Sequence, residues 1–405
     1  MKPTHAARTV RSILLKYLAK RRALNTIQAS PASFCSLPSG EGSYKAAIYF
    51  ADAEINSYQI RQWYEPFVKL NQQVPVVVLV RNPETAVMLR RECPLPLFYA
   101  PTIGDVEQMV EAQGLGAVFY VNQNIRNFQM LRFNRMAHVF ISHGESEKAY
   151  MWSNQLKAYD YVFVAGEAAR ERLAKNLERF DVVSRTHLIG RPQIDVNYPA
   201  PTDMAGSYRT VLYAPTWEGD RPSMAYGSVA THGLKLVDEL IASGRYNVIF
   251  RPHPRSGVSD PLYGSSVKRI KSMLESAKHS LAGPTYYYDD SPSWGWQWAT
   301  ADLCITDMSA VAYDWLATGK PILISRPANP QAVLDDSPAL LKLPSISQQD
   351  VTNIVSSVEQ LLQMPHPGFQ ELVDYHFGNT EAGESMKRFI VAAMKVLDTP
   401  KTQSA

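Results

Sequence analysis

Three short stretches hold most of the residues that could do chemistry. His143 follows the apolar run 139–142 (VFIS) and precedes Gly144. An imidazole at a strand end projects into the cleft that the strand faces, where it can serve as general base on a hydroxyl at neutral pH. The plainer alternative is a structural histidine capping the next helix. Lys148, five residues on, adds a cation in the first turn of that helix. Arg251-Pro252-His253-Pro254 follows a second apolar run. Its prolines fix the backbone around His253, so one permanent and one titratable cation face phosphate oxygens, unless the segment is only a rigid surface turn. In Thr306-Asp307-Met308-Ser309, hydroxyls and free backbone N–H groups meet at a helix start. That arrangement holds phosphate, or is an ordinary helix cap. Thr216, in Ala214-Pro215-Thr216-Trp217, offers another hydroxyl behind a further strand.

Placing these groups together requires a particular set of elements. The stretch Ala301–Arg326 reads as strand 303–306, helix 309–318 with Gly319 as its stop, and a second buried strand at 321–325. The same alternation runs through the chain from Tyr44. Strands at 45–50, 74–80, 97–99, 117–120, 137–142, 161–165 and 187–189, with helices at 57–71, 83–92, 105–113 and 167–176, predict a parallel α/β domain over residues 44–197. A Pro-containing join leads to a second domain over 198–390. Its strands are 210–214, 246–250, 303–306 and 321–325, and its helices 234–243, 265–277 and 309–318; residues 391–405 are left as a tail. Two doubly wound halves should bind ligands in the cleft between them, at the carboxyl ends of the strands.

Composition is that of an ordinary soluble globular protein, and 405 residues exceed what one core usually serves. Cys35, Cys93 and Cys304 are too far apart for a metal-spaced pair, which fits a reducing cytoplasmic setting. No apolar run reaches bilayer length. Charge, however, is uneven. Residues 1–40 carry Lys2, Arg8, Arg11, Lys16, Lys20, Arg21 and Arg22 and no acid. Val10, Ile13, Leu14, Tyr17 and Leu18 form one apolar stripe at helical spacing, so residues 1–28 read as a basic amphipathic helix of the interfacial membrane kind. The same helix could pack on the protein body or bind nucleic acid. A signal peptide is disfavoured, because there is no continuous apolar region and no small-residue cleavage site. Residues 29–43, rich in Ser, Pro and Gly, read as a linker.

Several common motifs are missing: GxxxxGK[ST], GxGxxG before a helix, GxSxG, a DxD pair, and any histidine at zinc spacing from an acid or cysteine. P-loop hydrolysis, nucleotide oxidoreduction, serine-esterase chemistry and metal-held diphosphate all lose support. What is present is an ordered set: HG…K at 143–148, GRPQID at 190–195, YAPTW at 213–217, FRPHP at 250–254, ITDMSAVAYDW at 305–315 and FGNTEAGES at 377–385. In this order and spacing they resemble the CDP-glycerol glycerophosphotransferases of teichoic acid and capsule polymer synthesis, over roughly residues 140–390.

The resemblance implies two Rossmann-like domains of the GT-B type, no required cofactor, and peripheral attachment to the cytoplasmic face of the membrane. It implies a CDP-glycerol or similar CDP-polyol donor and a lipid-linked glycan or polymer acceptor, with an anionic membrane surface rather than nucleic acid as partner. His143 is then the candidate base and Lys148 lies on the acceptor side. His253 and Arg251 meet the pyrophosphate, Thr216, Thr306, Asp307 and Ser309 line the phosphates, and Asp314 is an orienting acid or a plain helix residue. Departures from the family pattern are Met308-Ser309-Ala310, which lacks one hydroxyl, Gln193-Ile194, which lacks a cation, and Glu218, where a basic residue is common. They leave open CDP-ribitol or another nucleotide-linked alcohol, a GT-B glycosyltransferase or epimerase acting on a UDP- or GDP-sugar, and a non-catalytic scaffold of envelope assembly.

Overall fold

A computed structural model describes residues 5–35, 43–147, 149–201, 204, 206, 208–277, 283–291, 294–332, 338–364 and 367–399. The Val/Ile-rich runs become two separate parallel sheets. The first holds β1 (Ala46–Phe50), β2 (Val76–Val80), β3 (Leu97–Tyr99), β4 (Ala117–Tyr120), β5 (Ala137–Phe140), β6 (Tyr161–Val164) and β7 (Thr186–Leu188), in the order 3-2-1-4-5-6-7. The second holds β8 (Arg209–Tyr213), β9 (Tyr246–Phe250), β10 (Tyr286–Tyr288), β11 (Leu303–Asp307), β12 (Ile322–Ser325) and β13 (Ser345–Ile346), in the order 10-9-8-11-12-13. Every pairing is parallel, for example Ala46↔Val76 and Cys304↔Ile322. Strands β1, β2, β9 and β11 are buried at every residue. Burial on both faces is why they read as continuous apolar runs rather than alternating ones. In both sheets the order reverses beside the central strand, so each half opens a crevice at its carboxyl edge.

The expected strands and helices are present with small shifts at their ends. Two short edge strands, β10 and β13, were not foreseen: YYY and SI are too short to show a period. The 57–71 segment is two helices, Tyr58–Arg61 and Tyr64–Asn71, separated by a turn at Gln62–Trp63.

Both chain ends depart from the expected boundaries. The first helix runs His5–Ala29 and buries Ala23 and Ile27; Ile27 joins the core of the first sheet. Part of the expected linker is the helix Ala32–Cys35, with Phe34 in the same core, because one large apolar side chain suffices to dock it. Most of the supposed tail is also helical. The helix Glu384–Asp398 returns to the first sheet, where Phe389 packs on Trp63 (centroids 5.4 Å apart) and Phe67 (5.3 Å). Asp195 caps it, accepting from the N–H groups of Gly383 (3.0 Å) and Met386 (2.7 Å). Gly190, at φ +67°, lies under this helix start, where a Cβ would collide with Ser385.

Candidate functional site

His143 is the third residue past the end of β5. Its turn begins with Ser142 in the left-handed region at φ 56°, a conformation a non-glycine residue keeps only when neighbours impose it. The Trp63 indole donates to the Ser142 carbonyl (2.6 Å), and the Ser142 hydroxyl donates to the Gly144 carbonyl (3.0 Å). The turn brings Gly144 against the second half: a Cβ there would lie 3.7 Å from the Ala310 Cβ. His143 Nδ1 has no hydrogen-bond partner among the described residues. Burial, reinforced by the Arg191 charge, pushes the imidazole down to about 4, so it is neutral at physiological pH.

Between the halves stands Tyr58, a residue that sequence reasoning missed. Its ring meets His143 edge-on (5.8 Å between centroids) and also meets His253 edge-on (6.0 Å). Each distance is within the range of a favourable aromatic contact. The two histidine rings are therefore less than about 12 Å apart, by the sum of these contacts. A polar group adjoins this pair: Asn122, at the end of β4, donates to Gln59 (2.7 Å) and to Asp52 (3.2 Å).

His253 sits in a loop fixed by its own surroundings. Its Nδ1 accepts from the Arg255 N–H (3.1 Å), and the Arg255 guanidinium lies over the Trp217 ring at 4.1 Å. Glu218 accepts from the N–H groups of Gly257 (2.9 Å), Ser259 (2.8 Å) and Asp260 (3.0 Å). This explains an acid after APTW: three backbone donors need an acceptor, and a cation could not supply one. Arg251 differs from expectation. It pairs with the fully buried Asp289 (2.6 Å), donates to the Ser291 carbonyl (3.2 Å) and lies over Trp294 at 5.0 Å. Its charge is thus committed to a buried carboxylate, and it supports the loop rather than standing open to phosphate.

Thr306 and Asp307 also take supporting places. Both are fully buried. The Thr306 hydroxyl donates to the Ala214 carbonyl (2.7 Å). Asp307 Oδ2 accepts from the N–H groups of Thr216 (2.8 Å) and Ser228 (3.2 Å), tying the ends of β8 and β11 to the segment that opens the Leu234–Ser243 helix. Burial raises its carboxyl to about 7 against these hydrogen bonds. Ser309 is the N-cap of the helix Ala310–Leu316 and makes no side-chain capping bond, with its hydroxyl 3.5 Å from that of Thr306. It and Thr216 are both nearly buried and lie just past the ends of β11 and β8. Asp314 is paired with Arg191 across the halves: Nε to Oδ1 is 2.8 Å and Nη2 to Oδ2 is 3.2 Å. Its carboxylate is engaged in that buried ion pair. Lys148 lies outside the described residues, as do the side chains of Arg8 and Arg11; Lys16, Lys20, Arg21 and Arg22 are exposed. No group of three or more metal-ligating side chains occurs among the described residues, and no described helix is long and apolar enough to cross a membrane.

Residues 130–328 match the model of the family described as CDP-Glycerol:Poly(glycerophosphate) glycerophosphotransferase, a span that carries both histidines and the helix start at Ser309. No curated protein matches the sequence. Among solved structures, the chain is similar to the wall teichoic acid polymerase TagF, with 13% identity, 96% of each chain covered and a TM-score of 0.57. It is similar also to a putative UDP-N-acetylglucosamine 2-epimerase from Listeria monocytogenes (12% identity, 90% of this chain and 99% of that one, TM-score 0.55). A third is the S. aureus MnaA–UDP co-structure (12%, 89% and 100%, 0.55). At these identities the likeness is one of fold, the two-domain GT-B arrangement.

Proposed function

We propose that this chain, on the strength of the family match over residues 130–328, transfers glycerol phosphate or a related polyol phosphate from a CDP-linked donor to a hydroxyl of a membrane-linked, teichoic-acid-type acceptor. The observation that carries the reading is the meeting of His143 and His253, one from each half, on the edges of a single tyrosine ring. A solved TagF variant soaked with CDPG, similar in fold at 14% identity and a TM-score of 0.55, gives the donor class a precedent. The acceptor oxygen attacks the glycerol-bearing β-phosphorus, and the bond from that phosphorus to the bridging oxygen breaks. CMP leaves with the bonding electrons, and the hydroxyl proton passes to His143. An imidazole near 4 is a weak base in the empty site. The negative charge of the bound diphosphate favours the imidazolium and raises its basicity when it is needed. His253, held with its loop by Glu218 and Arg255, sits where it can offset charge on the departing phosphate together with Ser309 and Thr216.

The exposed apolar residues Ile13, Leu14, Leu15, Tyr17 and Leu18, beside exposed Lys16, Lys20, Arg21 and Arg22, support a peripheral membrane contact that keeps the cleft near its acceptor.

The test is CMP or nucleotide release from CDP-glycerol, CDP-ribitol and UDP-N-acetylglucosamine, each with and without membranes carrying lipid-linked polymer. Release from a CDP-polyol that depends on those membranes is the expected result. Turnover of the UDP-sugar alone would replace this reading with a glycosyltransferase or epimerase. Tight nucleotide binding without any turnover would make the chain a scaffold.

A further inference from the structure

The turn carrying His143 is fastened to the second half at two points. Arg191, in the turn after β7, donates through Nη2 to the His143 carbonyl (3.1 Å) and contacts Gln62. The same guanidinium makes the two-point pair with Asp314, and both side chains are about 95% buried, at 5% and 4% exposure. Four residues along the turn, Glu147 accepts from the Tyr313 hydroxyl (2.8 Å) and the Ala339 N–H (3.1 Å), while its other oxygen lies 3.7 Å from Arg172. Tyr313 and Asp314 are neighbours on the helix that Ser309 caps. One short helix of the second half therefore receives both fastenings.

We infer that Arg191 is a positioning residue for this reaction, seating the His143 turn against the 310–316 helix through Asp314 so that base and donor site come into register only when the halves are joined. The inference rests on His143 being the base of the proposed transfer. Arginine suits the place because its planar guanidinium sets Nε and Nη2 beside the two carboxylate oxygens, with Nη2 hydrogen-bonded to Asp314 and also reaching the His143 carbonyl; a compact lysine ammonium cannot span both. The surroundings of the imidazole show what the fork does electrostatically. The Tyr58 ring faces it from the 58–61 helix, the Val121 backbone from the end of β4, and Arg191 from the turn after β7, with Asp314 behind the guanidinium. Arg191 is thus the charged group closest in effect to His143, and its removal frees the imidazole to take a proton more readily.

The experiment uses the full chain with Arg191→Met, Arg191→Lys and Asp314→Asn, the last being a near-isosteric change that keeps the fold if the first does not. Two readouts are taken. In the first, His143 is titrated by NMR on labelled protein without substrate, with His143→Gln to assign its signal. In the second, kcat and KM are measured with CDP-glycerol and membranes carrying lipid-linked polymer. Arg191→Met should raise the His143 titration measurably, with burial still holding it below the ordinary histidine value of about 6.5. It should lower kcat by about 10–100-fold with KM for CDP-glycerol changed less than about threefold, the cost of a displaced reacting group. Arg191→Lys should recover the titration but not kcat, and Asp314→Asn should lower kcat in the same sense. A His143 titration unmoved by Arg191→Met overturns the proposal, as does a kcat restored by lysine. A wild-type protein that ignores CDP-polyols overturns the functional reading instead, and leaves the NMR result to decide the coupling.

Discussion

The two histidines are held in opposite ways. His253 belongs to a loop that its own half completes: prolines on either side, a backbone donor on its ring, and Glu218 gathering three N–H groups just beyond. His143 belongs to a turn that its own half leaves incomplete. Ser142 is strained, the carbonyl of His143 is bonded to an arginine paired across the cleft, and Glu147 binds the facing half directly. A group fixed within one domain keeps its geometry whatever the domains do, whereas a group fixed between domains has its geometry set by their closure. His253 is preassembled, and His143 is assembled by contact.

The sharpest way to break that contrast is to remove each ring in turn. His143→Ala and His253→Ala should each lower turnover by at least about 100-fold, the usual scale of one acid–base or charge-stabilising contact. The binding step should separate them. CDP-glycerol affinity, measured by calorimetry, should survive loss of His143 and weaken on loss of His253. Equal affinities in the two variants would show that the histidines do not divide between acceptor and donor sides.

The same contrast marks where the sequence was legible. Most strands of both sheets and the helices between them could be read because each depends on a local pattern of apolar runs and caps, whereas the helices Ile354–Gln363, Phe369–Phe377 and Glu384–Asp398 were not placed. The pairing of Arg191 with Asp314 spans 123 positions and leaves no local trace. Tyr58 reads as one more aromatic in an amphipathic segment, and nothing in its neighbours says that it will stand between His143 and His253. Thr306 and Asp307 were misplaced for a related reason. A hydroxyl and a carboxyl at a strand end look alike whether they face the cleft or the layer beneath, and here the partners at Ala214, Thr216 and Ser228 lie some 80–90 positions away. The acid at Glu218 was a departure only while its three backbone donors were out of sight.

A smaller effect should appear in stability, with opposite signs in the two halves. His143 is depressed to about 4 by burial and the Arg191 charge, so the unfolded chain binds its proton first. Its contribution is intact above the ordinary histidine value and is lost as pH falls from about 6.5 through about 4. Asp307 is raised to about 7 by burial, so here the folded state holds the proton. Its contribution is intact below the ordinary carboxyl value of about 4 and is lost as pH rises through about 7. Melting curves from pH 4 to 8 should show His143→Gln relieving part of the acid-side fall and Asp307→Asn relieving part of the neutral-side fall, each by about 2–4 °C. His376, also lowered to about 4, shares the sign of His143, which is why the variants and not the wild-type curve carry the test. An Asp307→Asn protein whose curve parallels the wild type would mean that the carboxyl is ionised in the fold, with its two backbone donors outweighing burial.

The smallest effect on the chemistry, and the one that separates catalysis from address, concerns the first helix. Its two ends differ. Residues 13–22 are exposed all round, while Ala23 and Ile27 are buried and Ile27 belongs to the core of the first sheet. A cut after residue 20 therefore removes the exposed apolar stripe with two of the exposed cations, and leaves the packed turns. A cut after residue 28 also removes Ile27, whose burial contributes about 1.5–3 kcal/mol. The shorter truncation should leave melting temperature, CDP-glycerol affinity and transfer to a soluble acceptor analogue unchanged. It should lose binding to anionic vesicles and slow transfer to a lipid-embedded acceptor. The longer truncation should lose stability as well. High salt should imitate the shorter cut in part, since it screens the basic residues and spares the apolar stripe. Retention of the shorter protein on anionic vesicles at low salt would place the membrane contact elsewhere on the molecule. A melting temperature lowered equally by both cuts would mean that the exposed turns pack on the body in solution.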